Sequence, residues 1–189
     1  MLTLPNNAKK LLLHCCCAPC CGGIIERLLD SGITMTVFFY NPNIDTKEEY
    51  ERRKIEVVRF CQKNNVPFFD GDYDQNLWIK NVTGLEKEPE RGKRCSVCFD
   101  MRLVRSALYA QDNGFNLFAT SLSISRWKDI NQVHASGRRA ASQYPNLLFW
   151  DFNWRKEGGQ QKSLAVTARE HFYQQNYCGC VYSTRALKP

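Results

Sequence analysis

The chain has 189 residues, 43% of them hydrophobic, which is enough for one core, and no apolar run is long enough to cross a membrane. Its net charge of +7 suits a polyanionic partner such as RNA without requiring one, because an ordinary basic surface has the same charge. Met1 to Lys10 lack the features of a secretory signal, so we expect a cytoplasmic protein with reduced thiols.

Apolar residues along the chain alternate between the spacing of buried strands and that of amphipathic helices. Pro19 is suited to a first helical position, and Thr46 with Glu49 has the spacing of a capping box. In chain order, the predicted elements are a strand at 11–13, a helix from Pro19 to Gly32, a strand at 34–40, a long helix after Thr46, a strand at 66–69, a short helix around 77–78, a loop at 86–94, a helix at 98–111, a strand at 117–119, a helix through 130–141, a strand at 147–150 and a last helix at 162–172.

This alternation favours βαβ units, and we predict a single-domain, Rossmann-like three-layer α/β sandwich with a mostly parallel sheet over residues 1–189. Ligands of such sheets bind beyond the carboxyl ends of the strands. Neither a GxGxxG motif nor a P-loop follows the first strand, so no bound dinucleotide is expected. The predicted strand ends carry Cys15, Cys16, Cys17, Asn41, Asp70, Thr120, Ser121 and Asp151.

Nine of the ten cysteines fall into three tight clusters, which suggests that the fold brings them to one place. Cys61 stands apart on an apolar helical stripe and is expected in the core. In the first cluster, Cys15 and Cys21 are expected to be bystanders. The clusters are Cys15, Cys16, Cys17, Cys20 and Cys21, then Cys95 and Cys98, then Cys178 and Cys180.

Two C-x-x-C motifs, Cys17 to Cys20 and Cys95 to Cys98, lie at predicted helix starts, where the helix dipole favours the thiolate form. Two such pairs suggest a zinc site, although the spacer is much longer than in zinc ribbons and adjacent cysteines are unusual there. Ligation of an iron–sulfur cluster by four thiolates fits equally well. A thioredoxin-like dithiol is a third interpretation.

The third cluster, Cys178-Gly179-Cys180, has a single glycine between its thiols. Such a pair can form a small strained disulfide, which is typical of labile or catalytic bridges, and glycine supplies the backbone freedom that the ring needs. The same two thiols can alternatively bind a metal.

Four segments, in the same order along the chain, resemble the QueH family of epoxyqueuosine reductases. The resemblance spans nearly the whole chain, and the combination is specific although no single motif is. One departure is Arg126, which follows Ser125 where the family usually has proline. The segments are His14-Cys15-Cys16-Cys17-Ala18-Pro19-Cys20, Tyr40-Asn41-Pro42-Asn43-Ile44, Glu88-Pro89-Glu90-Arg91-Gly92-Lys93-Arg94-Cys95 with Cys98, and Tyr177-Cys178-Gly179-Cys180-Val181-Tyr182-Ser183.

The resemblance implies the last step of queuosine synthesis in tRNA, the reduction of a cyclopentane epoxide to a cyclopentene without cobalamin. It implies a [4Fe-4S] cluster, an additional mononuclear iron beside it, and a redox-active cysteine pair. The implied partners are tRNA carrying epoxyqueuosine and an unidentified electron donor. In this sequence the cluster ligands fall on Cys16, Cys17, Cys95 and Cys98, the redox pair on Cys178 and Cys180, and the candidate ligand of the additional iron on Cys20.

Several further residues are candidates for supporting roles, each with an ordinary structural alternative. Asp70 and Asp151 are candidates for donating a proton to the leaving oxygen, although caps and turns explain either one alone. His14 is expected to be a buried, hydrogen-bonded histidine rather than a catalytic acid. The candidates for stacking on a base are Tyr40, Trp78, Trp127 and Trp150, and those for contacting phosphates are Arg126, Lys128, Arg138, Arg139, Arg155 and Lys156.

Two rival functions follow from the same residues. A zinc-stabilised RNA-binding module would contain zinc without sulfide and would have no activity. A thiol–disulfide oxidoreductase acting through Cys17 and Cys20 would need no metal and would reduce a generic disulfide.

Overall fold

Five parallel strands form the centre of the part of the chain that the structure, a computed structural model, describes, which is residues 1–183. Along the sheet they are ordered β3-β2-β1-β4-β5, and each neighbouring pair is parallel. The predicted α/β Rossmann-like sandwich is therefore confirmed, whereas its extent as one domain over 1–189 stays a prediction. The strands are β1 (Leu11–His14), β2 (Met35–Phe39), β3 (Phe68–Asp70), β4 (Leu117–Thr120) and β5 (Leu148–Phe149).

Helices cover both faces of the sheet. Within residues 1–183, none of them has the length and apolar character needed to span a membrane. Two short 3₁₀ turns, Pro5–Asn7 and Ser121–Ile124, accompany the longer elements. The helices are α1 (Ala18–Asp30), α2 (Lys47–Lys63), α3 (Gln75–Val82), α4 (Lys93–Asp112), α5 (Ile130–Ala141) and α6 (Gly159–Arg169).

The central strand β1 is buried on both faces, because successive side chains point to opposite sides of the sheet. Leu11 and Leu13 pack in the core that contains the apolar faces of α1, α2 and α6. Leu12 points the other way, into the core formed with α4 and α5. A continuous apolar strand is therefore needed at the centre of this three-layer arrangement.

Two helix boundaries and one cap differ from the sequence prediction. Helix α4 begins at Lys93, inside the stretch predicted as a loop, and α6 ends at Arg169, before Phe172. The predicted capping box is wrong: the Thr46 hydroxyl donates to the carboxylate of Glu48, and no side chain caps the helix. Glu49 instead forms an ion pair with Arg53, one turn further along α2.

Helices α1 and α6 approach each other closely because α1 has glycine at the contact. A Cβ atom on Gly23 would lie 2.6 Å from the Cα atom of Ser163 on α6. The close approach brings α6 to the same edge of the sheet as the first cysteine cluster. Gln160, Ser163 and Thr167 of α6 consequently line the main cavity described below.

The strand order reverses direction at β1. From β1 the chain continues to β2 on one side, whereas β4, on the other side, follows much later in the sequence. A crevice opens beyond the carboxyl ends at such a point. Here those ends lead into the first cysteine cluster, after His14, and into Ser121, after Thr120.

Candidate metal and redox centre

A cavity of about 440 Å³ lies at this crevice, beyond the carboxyl ends of β1, β2 and β4. Its wall combines the start of α1, the loop after the 3₁₀ turn at 121–124, one face of α6 and the segment that precedes the last cysteine pair. The volume of this cavity is large enough for a group the size of a nucleoside. The cysteines that line it are Cys16, Cys17, Cys20 and Cys178.

Three thiols of the first cluster form a compact group at the start of α1. The sulfur atoms of Cys16, Cys17 and Cys20 all lie within 4.8 Å of one another, and those of Cys16 and Cys17 are 3.8 Å apart. Cys17 is the N-cap of α1, and the amide of Cys20 donates to the Cys17 carbonyl, so the helix start fixes their spacing. This arrangement can hold a metal ion.

Ser121 fixes the orientation of Cys16 from the neighbouring strand end. Its hydroxyl accepts a hydrogen bond from the Cys16 amide at 3.1 Å and lies 3.4 Å from the Cys16 sulfur. Hydrogen bonds from Cys17 and Cys20 lower the pKa of Cys16 well below its ordinary value, although burial opposes them. Cys16 is therefore the thiol of this group that loses its proton most readily.

The other cysteines near this group are hidden from the cavity. Cys15, Cys21 and Cys61 are completely buried in the core between the sheet and helices α1 and α2. Burial raises the pKa of all three thiols, to about 11 for Cys15. As neutral core residues they match the bystander role predicted from the sequence.

A second, smaller cavity of about 30 Å³ adjoins the first. Its thiols come from the first two turns of α4 and from the last cysteine pair: Cys95, Cys98, Cys178 and Cys180. Cys178, Trp127 and Lys128 line both cavities. The structure thus brings all three cysteine clusters to one edge of the sheet, with Cys178 at the junction.

The two sides of the centre also share packing partners. Cys16 of the first cluster and Cys95 of the second both pack against the apolar group of Phe99, Leu122 and Val133. Cys98 packs beside Cys180 in a separate small group. The first and second clusters therefore lie on two sides of a common apolar wall. The three sulfur atoms close enough to share a metal ion, however, are those of Cys16, Cys17 and Cys20.

The loop that carries the last pair has a conformation suited to glycine. Gly179 has φ of +102°, and its carbonyl accepts a hydrogen bond of 2.8 Å from the Asp45 amide. The carbonyl of Cys178 accepts from the guanidinium of buried Arg53 at 3.2 Å. A Cβ atom at position 179 would lie 3.0 Å from both Arg53 and Ile44, so the glycine allows this close approach.

Lys128 points into the centre instead of out to solvent. Its Nζ lies 3.4 Å from the sulfur of Cys178. Burial alone would raise the pKa of Cys178, but the positive charges of Lys128 and Arg102 outweigh it and hold the pKa below its ordinary value. The prediction that Lys128 contacts phosphates does not fit this inward orientation.

Arg102, on α4, is a buried cation at the floor of the larger cavity. Its guanidinium donates to the side-chain oxygen of Asn41, whose amide donates to the Cys15 carbonyl at 2.9 Å. Its Nε has no hydrogen-bond partner, and no carboxylate within residues 1–183 forms an ion pair with it. Its charge favours the thiolate forms of Cys16, Cys98 and Cys178.

His14 supports the site from within the sheet. It is completely buried, with Nδ1 2.8 Å from the Thr120 hydroxyl and Nε2 3.1 Å from the Tyr40 carbonyl. Burial, with the nearby charge of Arg102, lowers its pKa to about 3, so the imidazole is neutral at physiological pH. This matches the predicted buried, hydrogen-bonded histidine.

The structure does not bring the two candidate proton donors to the cavity. Asp70 accepts hydrogen bonds from Tyr50 at 2.6 Å and Lys54 at 2.7 Å on the edge strand β3. Asp151 forms an exposed ion pair with Arg138 at 2.6 Å. Neither carboxylate lines either of the two cavities.

Of the four candidate stacking residues, Trp127 has a position that suits the role. It is 49% exposed and lines both cavities. Tyr40 and Trp78 are 2% exposed and belong to the core, and Trp150 packs against Phe152 and Trp154. Tyr40 and Trp150, which follow strands, thus pack among other side chains, whereas Trp78 lies on α3 with one side in the wall of the smaller cavity.

The candidate phosphate contacts divide in a similar way. Arg126 is exposed at the cavity and lies over the ring of Trp127, and Lys156 is exposed. Arg138 and Arg139 pair with Asp151 and Asp100. Arg155 donates to the carbonyls of Ser125 and Lys128 and so braces the loop that carries Trp127.

Sequence reasoning missed three residues that contact the centre. Arg53 holds the Cys178 carbonyl, Arg102 provides a buried charge, and the Gln175 amide donates to the Cys17 sulfur at 2.8 Å. The strand-end rule already pointed to Asn41, the partner of Arg102. A buried arginine or glutamine in a helix or loop carries no comparable signal.

Comparison with known proteins gives a consistent family. A family model described as "Epoxyqueuosine reductase QueH" matches residues 11–186. Proteins of that name from Acinetobacter baylyi and Haemophilus influenzae are 57% and 54% identical to this chain over 184 residues. These alignments cover 97% of this chain and 84% and 75% of the relatives, respectively.

A more distant relative of the same name, from Thermotoga maritima, is 32% identical over 149 residues, which cover 77% of each chain. The resemblance seen in the four sequence segments is confirmed. The chain belongs to the QueH family of epoxyqueuosine reductases.

Proposed function

We propose that this protein reduces epoxyqueuosine in tRNA to queuosine, the last step of queuosine synthesis. Family membership supports the reaction. The observation that carries the assignment of residues is the convergence of three cysteine clusters on two adjoining cavities, with Cys178 in the wall of both. A centre of this kind joins thiol redox chemistry to a chamber large enough for the modified nucleoside.

The reaction removes the epoxide oxygen as water, which consumes two electrons and two protons. We infer that Cys178 and Cys180 supply the electrons: two thiols become one disulfide and release two electrons and two protons. The released electrons and protons balance those that the substrate consumes. An electron donor, which nothing in the chain identifies, must then reduce the disulfide for the next turnover.

We infer that a [4Fe-4S] cluster is held by Cys16, Cys17, Cys95 and Cys98. Four thiolates with iron and sulfide form an anionic group, and the buried charge of Arg102, which has no carboxylate partner within residues 1–183, fits such a group. Cys16 and Cys95 pack against the same apolar residues, which supports their convergence. When bound, the cluster would supply single-electron transfer.

Cys20 is the candidate to hold an additional mononuclear iron beside the cluster. Its sulfur lies within 4.8 Å of those of Cys16 and Cys17, and it faces the larger cavity. A Cys20→Ala variant should therefore keep the sulfide content of the wild type and lose part of its iron. Loss of sulfide in parallel with iron would make Cys20 a ligand of the cluster instead.

The mouth of the larger cavity suits a flipped nucleoside. Trp127 is half exposed there, and the guanidinium of Arg126 lies 4.7 Å from its ring centre. An enzyme that acts on a base holds it between flat side chains, and cations nearby bind the phosphates. The net charge of +7 supports binding to tRNA, and the proposed location is the cytoplasm, where the thiols stay reduced.

The test is anaerobic purification, followed by assay of iron, sulfide and turnover of tRNA that carries epoxyqueuosine. We expect a brown protein with iron and sulfide that forms queuosine when a chemical reductant is supplied. Zinc without sulfide would support the RNA-binding module instead. A colourless, iron-free and active protein would rule out the cluster.

The redox pair is tested with Cys178→Ala. This variant should keep the iron–sulfur absorbance of the wild type and lose turnover, because one thiol cannot form the internal disulfide. Cys61→Ala is a matched control, since Cys61 is buried away from both cavities. Loss of the cluster in Cys178→Ala would identify Cys178 as a ligand and overturn its redox role.

A further inference from the structure

The two thiols of the last pair have different surroundings. Cys178 is half-buried, lines both cavities and faces the Nζ of Lys128 at 3.4 Å. Cys180 is buried in an apolar group with Trp78 and Val82. One glycine thus separates a thiol beside a cation from a thiol in an apolar pocket.

The position of Lys128 is fixed by its own backbone. Its amide donates to the Ser125 carbonyl at 3.1 Å, and its carbonyl accepts from Arg155 at 2.9 Å. The next residue, Asp129, caps α5 by accepting from the amide of Asn131 at 2.8 Å. Lys128 therefore lies between two anchored points, and its side chain extends inward from a braced loop.

No carboxylate within residues 1–183 forms an ion pair with Lys128. A partly buried cation is stabilised by a negative partner, and the anionic candidate that lies beside it is the sulfur of Cys178, at 3.4 Å. The other charged or titratable groups that act on Cys178 are Arg102 from α4, Glu90 from the loop before α4, and the thiols Cys95, Cys98 and Cys180.

We propose that Lys128 is the counter-ion of Cys178, so that the reduced pair consists of a Cys178 thiolate and a Cys180 thiol. The inference rests on the proposed redox role of this pair and adds the residue that makes its two members unequal. Lys128 is a positioning and charge-stabilising residue for Cys178, and Cys178 is the member that reacts first with an electrophile or a disulfide.

The redox step balances with this assignment. Reduction of the Cys178–Cys180 disulfide takes two electrons and one proton and breaks the S–S bond; it leaves a thiolate on Cys178 and a thiol on Cys180. Lys128 stabilises the reduced product and not the neutral disulfide, so it raises the reduction potential of the pair. Oxidation reverses the step and releases the two electrons and one proton toward the substrate; because Cys178 is a thiolate, the second proton that the departing oxygen takes comes from water.

The test is the rate at which iodoacetamide alkylates each cysteine of the anaerobically purified, metal-loaded protein, followed by peptide mass spectrometry from pH 5 to 9. In the wild type we expect Cys178 to react at lower pH and faster than Cys180. If Cys180 of the wild-type protein is alkylated faster than Cys178, this result alone overturns the proposal. Lys128→Met should slow alkylation of Cys178 about tenfold or more at pH 7, because the thiolate is the reacting form.

Two further variants separate charge from structure. Lys128→Arg should restore most of the alkylation rate, whereas Lys80→Met, which removes an exposed lysine of α3, should leave it unchanged. The dithiol potential, measured in redox buffers, should fall in Lys128→Met by about 30 mV for each tenfold loss of rate. An unchanged alkylation profile and potential in Lys128→Met, with iron and sulfide retained, would refute the role of Lys128.

The outcome for Lys128 is distinct from that for the pair itself. Should Cys178→Ala retain full turnover, the redox role of the pair fails whatever the alkylation profile shows. If Cys178→Ala loses turnover, and Cys178 in Lys128→Met is alkylated at the wild-type rate and has the wild-type potential, the redox role of the pair stands. The assignment of Lys128 as counter-ion is then wrong.

Discussion

Two groups of three cysteines lie on or pack near the first helix, and they differ in almost every property. Cys16, Cys17 and Cys20 face a cavity and contact one another, whereas Cys15, Cys21 and Cys61 are sealed in the core. A hydrogen-bonded thiolate is favoured at Cys16, and burial keeps the hidden thiols neutral. The contrast shows that neighbours in sequence can have opposite chemistry.

The difference arises from the geometry of the strand and the helix. Cys15 continues β1, and its side chain points into the core, where alternation along the strand directs it. Cys16 follows on the opposite side, and Cys17 caps the helix. Along α1, Cys20 and Cys21 are adjacent and therefore about 100° apart around the helix axis, so one faces the cavity and the other the core.

The strongest test of this contrast is Cys17→Ala against Cys15→Ala. Cys17→Ala removes a proposed ligand and should lose most of the iron and at least about 100-fold in turnover. Cys15→Ala should keep iron and turnover and lose about 1–2 kcal/mol of stability, since it deletes one buried sulfur. Iron, sulfide and turnover are measured on both; equal iron loss in the two variants would show that the hidden group also binds metal.

The buried charge of Arg102 provides the second test. It favours the thiolate forms of thiols of the centre, including Cys16, Cys98 and Cys178. Arg102→Met should lower the iron content and reduce turnover about 10- to 100-fold, because the proposed anionic cluster would lose its compensating charge. The outcome that would contradict this is a variant with normal iron and turnover. Arg105→Met, half-buried on the same helix, is the control.

The third test concerns the conformation of the last cysteine pair. Gly179→Ala places a Cβ 3.0 Å from Arg53 and Ile44 at a residue with φ of +102°. The strain of about 1–3 kcal/mol should displace Cys178 and reduce turnover about tenfold, with iron and sulfide retained. Gly84→Ala, also at positive φ but with no atom near its Cβ, controls for strain alone. A similar loss of turnover in both variants would argue against a special role for the loop.

The smallest effect is expected for alkylation of the hidden thiols. Burial raises the pKa of Cys15 to about 11, so below that pH the folded protein holds it as a neutral and unreactive thiol. Between pH 7 and 9, iodoacetamide should leave Cys15 unmodified in the native protein and modify it fully in denaturant. Modification of native Cys15 at the rate of Cys178 would show that the core opens readily.

The order of the elements could be predicted from the sequence because apolar spacing and turn residues are local signals. All five strands and the helices between them follow that pattern. Local signals failed where a different side-chain pairing is made in the folded chain. Glu49 forms an ion pair with Arg53 instead of completing a capping box with Thr46. Similarly, Lys93 begins α4 inside a stretch whose charge and proline suggested a loop.

The candidate site could be predicted in outline for a different reason. Cysteine spacing and the position of β1 pointed to the edge of the sheet where the clusters meet. The direction of a long side chain is not a local property, however. Lys128 was predicted to contact phosphates and Arg102 was not predicted at all, yet both point inward because the loop after β4 and the face of α4 line the cavity. Asp70 and Asp151 failed as candidates because strand ends at the sheet edges are far from its centre.

The unequal size of the two cavities has a consequence for the order of events in catalysis. Of the two cavities that Cys178 lines, the smaller, at about 30 Å³, admits no more than a few water molecules. We therefore expect substrate and reductant both to approach Cys178 through the larger one, where they would exclude each other. Turnover would then alternate between a half-reaction that reduces the cysteine pair and one in which the pair reduces the substrate. Steady-state rates measured at several donor concentrations should give the parallel double-reciprocal lines of a ping-pong enzyme.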